Sequence, residues 1–242
     1  IISKSIKKAR SLYRFAKQRN EWLKKGGKID SNFIILGDYE DKSGSANGHY
    51  FHQDLLIANR IYKDSPQRHI DVGSRVDGFV AHVAAFREIE IIDIRPLENK
   101  IHNNIKFIQA DLMRPKNIGK TDSLSCLHAI EHFGLGRYSD PIDINGHVKG
   151  ISNLVDLVSD GGLLYISFPI GTKDKVAFNA HRIFHPTSIL NIPSIKSYMS
   201  LEQFDYVDDY GDLYLNIELI NFDKKLSYGC GIYTFRKILN RK

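Results

Sequence analysis

The chain has 242 residues, 42% of them hydrophobic, and a formal net charge of +6. That length supports one sizeable α/β core with a small appendage. No apolar run approaches the roughly 18–20 residues of a membrane span, and neither a secretory signal nor a repeat is read in the chain.

Charge is unevenly placed. Residues 1–28 hold ten Lys/Arg against the single acid Glu21, a charge of +9, so the rest of the chain carries −3. In this arm Ile2, Ile6, Ala9, Tyr13 and Ala16 recur at i+3/i+4 spacing, which predicts an amphipathic helix ending at Gly26–Gly27. Its basic face could touch anionic lipid or nucleic acid, or simply be hydrated while the helix packs on protein. Residues 32–47 are polar and turn-rich and read as a linker. The expected division is therefore a basic helix and linker over 1–48 and a catalytic body over 49–242. Residues 50–58 read as a helix preceding the first strand, with Tyr50, His52 and Gln53 as candidates for a lid.

Five short β-branched or apolar runs follow. The first, Ile70-Asp71-Val72, meets Gly73-Ser74-Arg75 and then Gly78. An acidic residue followed by glycine opens a strand-turn-helix unit whose backbone can approach a nucleotide-like ligand. The second run, residues 88–94, ends in Asp93, twenty positions after Gly73, where a carboxylate can accept two hydrogen bonds from a ribose diol. The third, residues 105–109, runs into Ala110-Asp111-Leu112. The fourth, residues 122–127, ends at His128, and the fifth, residues 162–168, stops at Pro169. Strands alternating with helical segments predict a doubly wound, mostly parallel sheet, with ligands at the carboxyl ends of its strands. Later, residues 198–208, 214–222 and 229–237 read as strands. The two cysteines, Cys126 and Cys230, each sit in a strand-like run, which fits buried free thiols and a reducing, cytoplasmic setting.

The order DVGSR…DG, EIIDIR, IQADL, LSCLHAIEH and GGLLYISFP resembles a class I S-adenosylmethionine-dependent methyltransferase. More narrowly, DVGSRVDGF, LHAIEHFGLGRYSDPID and YGCGIYTFRK resemble a methyltransferase-like family named only as a Caenorhabditis-type protein of unknown function. The resemblance spans roughly Tyr50 to Lys237. It implies a seven-stranded Rossmann-like sheet and S-adenosylmethionine as cofactor. The positions it assigns to the cofactor are Asp71, Gly73, Ser74, Arg75, Gly78, Asp93, Ile94, Ala110, Asp111, Leu112 and His128. One departure stands out: the usual second and third glycines of the turn are Arg75 and Asp77 here. Arg75 either donates to the methionine carboxylate or pairs with Asp71 or Asp77.

The loop after the fourth run would flank the transferred methyl group. His132 is the first candidate for general base and His128 the second, with Glu131 orienting one of them. Arg137, Tyr138, Asp140, His181 and Arg182 are candidates for holding the acceptor. His128-x-x-Glu131-His132 also matches the inverted zinc-peptidase signature, but Gly134 and Gly136 break the helix which that chemistry needs. With no Cys-x-x-Cys and no tight histidine pair, no metal is expected.

The leading expectation is methylation at oxygen of a small-molecule or glycan acceptor. The alternatives are a non-catalytic binding module that kept the fold, and a nucleic-acid methyltransferase using the basic arm. Nucleic acid is the less favoured partner, because no base-methylation element follows the fourth strand.

Overall fold

The computed structural model describes residues 2–97, 102–114 and 117–239. It separates into two compact units, one ending at Ser45 and the other beginning at Ala46.

In the first unit, helix α1 (Ile2–Lys24) is amphipathic and ends before Gly26–Gly27. The side chain of Ile2, part of the expected apolar stripe, lies outside the described residues. The segment after α1 runs back along it. Arg14 lies over the Tyr39 ring at 4.4 Å, Tyr39 donates to Gln18 at 2.7 Å, and Arg19 donates to Asn32 at 3.0 Å. Residues 32–47 are therefore in part a strap on the helix, not only a linker.

The second unit opens with α2 (His49–Asp64), which buries Gln53, Asp54, Ile57, Ala58 and Ile61, the i, i+4, i+8 face of an amphipathic helix. Strands β1 (His69–Val72), β2 (Ile89–Asp93), β3 (Ile105–Gln109), β4 (Thr121–Leu127) and β5 (Val158–Ile170) run parallel. Past a small hairpin of β6 (Lys175–Ala177) and β7 (His181–Ile183) come β8 (Met199–Val207), β9 (Leu213–Tyr214) and β10 (Gly229–Lys237). The main sheet has the order β3-β2-β1-β4-β5-β10-β8-β9, with β10 antiparallel to both of its neighbours.

Eight strands stand where seven were expected, the extra one being the two-residue β9 at the edge. The predicted strand over 214–222 is limited to its first residue. Asn216 takes a left-handed φ of 53° and ends the pairing. Ile217, Leu219 and Phe222 pack on the sheet instead, Phe222 lying 5.5 Å from Phe204 and 5.0 Å from Tyr206. The segment between β1 and β2 is also less regular than the helix expected there. A wide turn over Val76–Val80 leads into the four-residue α3 (Ala81–Ala84), because Gly78 sits outside helical dihedrals at φ −119°, ψ −115°.

Side chains alternate across the sheet. Ile92, Leu124, Cys126, Ile166 and Tyr233 face α4 (Gly146–Leu157) and α5 (Pro193–Tyr198). Ile89, Ile91, Leu127, Tyr165 and Ile232 face α2 and α3. Both faces of the central strands are thus covered, as a doubly wound sheet requires. A buried ion pair ties α2 to the far half of the sheet. Arg60 Nη2 donates to fully buried Asp205 on β8 at 2.7 Å, and Arg60 Nη1 donates to Thr234 on β10 at 3.1 Å. Asp205 also accepts from Gln203 Nε2 at 2.9 Å and from the Asn216 amide at 2.8 Å.

On the opposite face His147, in the first turn of α4, packs on Phe184 with ring centroids 5.6 Å apart, and its Nδ1 is buried without a partner. Burial, with Arg182 nearby, depresses its pKa to about 4. The folded state therefore binds this proton less readily than the unfolded chain does. The stability His147 gives is whole above pH 6.5 and is lost as pH falls toward 4. His147→Phe removes that loss. Paired thermal melts should show the variant gaining on the wild type as pH drops from 7 to 4.5, by roughly 1 kcal/mol once solvent around the ring is allowed for. A difference that does not change with pH would refute this.

Candidate functional site

The carboxyl ends of β1, β2, β3 and β4 converge on one cleft. Its inner recess is walled by Val72, Ile92, Ala110, Leu112, Met113 and Phe133, with Gly73, Asp93, Ile94 and Asp111 at the margins. It continues into an open cleft of about 710 Å³ lined by Ser74, Arg75, Glu131, Arg137, His181 and Tyr228, among others. Gly73, Asp93, Arg95, His128, His132 and Tyr138 belong to both parts. A flat apolar recess beside a polar cleft suits a ligand with a planar base at one end and charged groups at the other.

The turn after β1 is fixed by buried polar contacts. Gly73 holds φ +77°, and a Cβ there would meet the Ala129 Cβ at 2.8 Å, so glycine is required on both counts. Asp71 is fully buried and faces inward. It accepts from the Ser74 amide at 3.1 Å, from Ser74 Oγ at 2.9 Å and from Ser125 Oγ at 2.5 Å. Burial drives its pKa up to about 7 against the pull of those bonds. Asp71 thus shapes the turn and is not among the residues lining the cleft; nor is Gly78. Arg75 is exposed, lines the open cleft and grips Asp77 with two bonds, Nε to Oδ1 at 3.0 Å and Nη2 to Oδ2 at 2.7 Å, the pairing named in the second of its two sequence readings.

Asp93 stands at the tip of β2 as the spacing requires, but it has a companion the sequence did not announce. Arg95 Nη2 donates to Asp93 Oδ2 at 2.5 Å and Nε donates to Oδ1 at 2.9 Å. The same guanidinium lies 4.8 Å over the Tyr138 ring. Asp111 accepts from the Met113 amide at 2.9 Å, which turns the chain after β3 and keeps Ala110 and Leu112 in the recess wall.

The loop after β4 carries the titratable groups. His128 takes a left-handed φ of 49°, so the chain leaves the strand sharply and Ile130–His132 forms a single tight turn. The inverted-peptidase reading fails here, since its two histidines need one helical face. Glu131 is buried and serves both rings, its Oε1 being 2.9 Å from His128 Nδ1 and 3.6 Å from His132 Nε2. A carboxylate can only accept, so His128 Nδ1 carries a proton, and the opposite nitrogen, Nε2, is buried and unpartnered. Burial opposes charge on His128, yet Cys230 and Glu131 outweigh it and hold its pKa well above the ordinary value. His132 Nδ1 donates to the Ala180 carbonyl at 2.7 Å, which leaves Nε2 with its lone pair. Its pKa is lowered by burial, with Glu131 pulling the other way and Arg137 adding to the drop.

Of the expected acceptor residues, Arg137, Tyr138, Asp140 and His181 line the site. Asp140 also braces the loop, accepting from the Gly134 amide at 2.8 Å. Arg182 does not line the cleft. It is buried, and its Nη1 donates to the carbonyls of Phe133 at 2.7 Å and Glu131 at 3.3 Å, so its task is to hold the turn. Tyr50 reaches the cleft, His52 does not line it, and Gln53 is buried beneath, accepting from Ser167 Oγ at 2.6 Å. Arg95 and Tyr228 went unseen in the sequence. The only signal for Arg95 was its position two residues past Asp93.

The fold is that of class I S-adenosylmethionine-dependent methyltransferases. It is similar to the N-methyltransferase NodS from Bradyrhizobium japonicum in complex with S-adenosylhomocysteine, with a TM-score of 0.54 and 11% identity over 84% of this chain and 91% of that one. It is similar to the 1,6-didemethyltoxoflavin-N1-methyltransferase of Burkholderia thailandensis, with a TM-score of 0.55 and 11% identity over 77% and 79%. It is similar also to the [4+2]-cyclase SpnF, with a TM-score of 0.57 and 14% identity over 78% and 82%. No curated protein matches in sequence. Residues 87–227, more than half of the chain, match the family described as "Caenorhabditis protein of unknown function, DUF268", and the chain belongs to that family.

Proposed function

We propose that the protein is an S-adenosylmethionine-dependent methyltransferase acting at oxygen on a small polyhydroxy or carbohydrate-like acceptor. The observation that carries this reading is the convergence of Gly73, Asp93 and Asp111 on one recess at the carboxyl edge of the sheet. Asp93 would accept from the ribose hydroxyls, Ala110, Asp111 and Leu112 would flank the base, and the Gly73 turn would lie against the methionine end. When bound, the cofactor supplies an electrophilic methyl group on a sulfonium.

The rest belongs to the chain's own residues. His132 lines the cleft, and its Nε2 accepts the acceptor's hydroxyl proton. The buried Glu131 carboxylate, 3.6 Å away, stabilises the imidazolium that results. Tyr138, His181 and Tyr228 give the aromatic and polar surface that a sugar-like molecule uses. Because His132 is held below the ordinary histidine value, it is unprotonated and ready at neutral pH.

Calorimetry with S-adenosylhomocysteine, followed by an acceptor screen with methyl-labelled cofactor, tests the reading. A single micromolar site is expected. On the acceptor so found, His132→Ala should cut turnover about 10²–10⁴-fold while cofactor affinity changes by less than about threefold. Equal turnover in variant and wild type removes His132 as the base. The Arg95–Asp93 pair favours a second reading, a binding module that retains the fold without the cofactor. A folded sample that takes up no S-adenosylhomocysteine supports it.

A further inference from the structure

Three residues far apart in the chain meet beside the cleft. His49 opens α2, His128 ends β4 and Cys230 is the second residue of β10. Their ligating atoms all lie within 4.8 Å of one another. Cys230 is fully buried and His128 nearly so, while His49 is half-buried. The two imidazoles are stacked, with centroids 5.2 Å apart and planes 12° apart. We propose that His49, His128 and Cys230 form a mononuclear site for a borderline-soft divalent cation, zinc being the closest chemical match.

Three observations support it. First, His128 Nε2 is a buried nitrogen with no hydrogen-bond partner, an arrangement that costs stability unless a partner is supplied. Second, each ring has a hydrogen-bond partner outside the cluster. Glu131 accepts from His128 Nδ1 at 2.9 Å, and the Tyr228 backbone bonds the His49 ring. A carboxylate or carbonyl behind a histidine, with the other nitrogen turned inward, is how metal-binding rings are oriented. Third, apart from its interaction with His128, Cys230 has only weak local partners, donating to Gln53 Oε1 at 3.7 Å and to the Gly231 carbonyl at 3.8 Å.

Zinc–nitrogen and zinc–sulfur bonds of about 2.0–2.3 Å put tetrahedral ligands roughly 3.5 Å apart, so modest side-chain rotations close the site. Two imidazoles and a thiolate select zinc over magnesium or calcium, which prefer oxygen. Binding displaces the thiol proton, and the proton that His128 Nε2 carries when the ring is charged, to solvent. Three protein ligands leave a fourth position open. His128 lines both the cleft and the adjoining hollow walled by Asn47, Asp208 and Tyr228, so that position adjoins the space proposed for the acceptor. The site itself does not depend on the methyltransferase reading.

The experiment titrates chelator-treated, folded full-length protein with zinc against a chromophoric chelator, and separately with cobalt(II) followed by absorption. One equivalent of each should bind, with cobalt giving a thiolate charge-transfer band and tetrahedral visible bands. Cys230→Ser should abolish the charge-transfer band. Glu131→Gln should weaken zinc binding about 10–100-fold, and His49→Ala by at least about 100-fold. His49 is half-buried at a helix start, so this variant keeps the test open if Cys230→Ser fails to fold. Absence of stoichiometric zinc and cobalt binding overturns the proposal. So does a charge-transfer band that survives Cys230→Ser, or unchanged zinc affinity in His49→Ala. S-adenosylhomocysteine binding measured in the same chelated sample separates this outcome from failure of the proposed function.

Discussion

Asp93→Ala should weaken S-adenosylhomocysteine binding about 100-fold while leaving the melting temperature nearly unchanged. Hydrogen bonds to an ionised group contribute about 1.5–3 kcal/mol, and one such difference is roughly a 10–200-fold change in affinity. A second effect acts in the same direction. Arg95 now spends its charge on Asp93, through contacts of 2.5 and 2.9 Å. In the variant that guanidinium has lost its counter-charge at the mouth of the recess. It would then repel the sulfonium of the methyl donor more than the neutral thioether of the product. Calorimetric titration of both ligands checks this, and S-adenosylmethionine should lose at least as much affinity as S-adenosylhomocysteine. Asp93 is removed from the proposed site if the variant binds either ligand within about threefold of the wild type.

The largest effect on stability is expected at Asp205. This carboxylate is fully buried and accepts from Arg60, Gln203 and the Asn216 amide. Asp205→Ala leaves Arg60 inside the protein with its charge unanswered and the Asn216 amide without its acceptor. Removing one member of a buried pair costs about 3–5 kcal/mol. For a body of this size that lowers the melting temperature by roughly 6–20 °C. The double variant Arg60→Met, Asp205→Leu should lose much less than the sum of the single losses, because neither charge is stranded. Chemical denaturation of Arg60→Met, Asp205→Leu and their double variant, beside Asp205→Ala, provides the cycle. A loss below about 1 kcal/mol in Asp205→Ala would show that the pair does not fasten α2 to β8.

The strand tips were legible in the sequence because each apolar run ends abruptly in a polar or small residue. Asp93, Ala110, Asp111 and His128 therefore fall where the pattern put them, and the parallel order placed them together. The direction of a side chain was not legible. Asp71 and Asp93 occupy similar positions at the ends of adjacent strands. Yet Asp71 turns inward to Ser74 and Ser125, while Asp93 faces the recess. Nothing in DVGSR distinguishes the two cases until Ser125, 54 residues later, is known to face the same carboxylate. Arg182 misled for a related reason. A basic residue in a polar loop reads as a ligand contact, whereas here it satisfies two carbonyls of a turn about 50 residues earlier. The alternation over residues 214–222 also had a real cause, but it was a loop packed on Phe204 and Tyr206 and not a paired strand. The cluster of His49, His128 and Cys230 spans most of the body, and no local spacing rule reaches that far.

Glu131 has one further consequence. One of its oxygens, Oε1, attends two rings at once, and the rings also act on each other electrostatically. Protons on two coupled imidazoles leave in macroscopic steps owned by the pair and not by either residue. A pH–rate curve for this protein would then register the collective ionisation of His128 and His132. Substituting either imidazole should displace the apparent midpoint of the one that remains, and loading a cation at His128 should make the other ring a weaker proton acceptor.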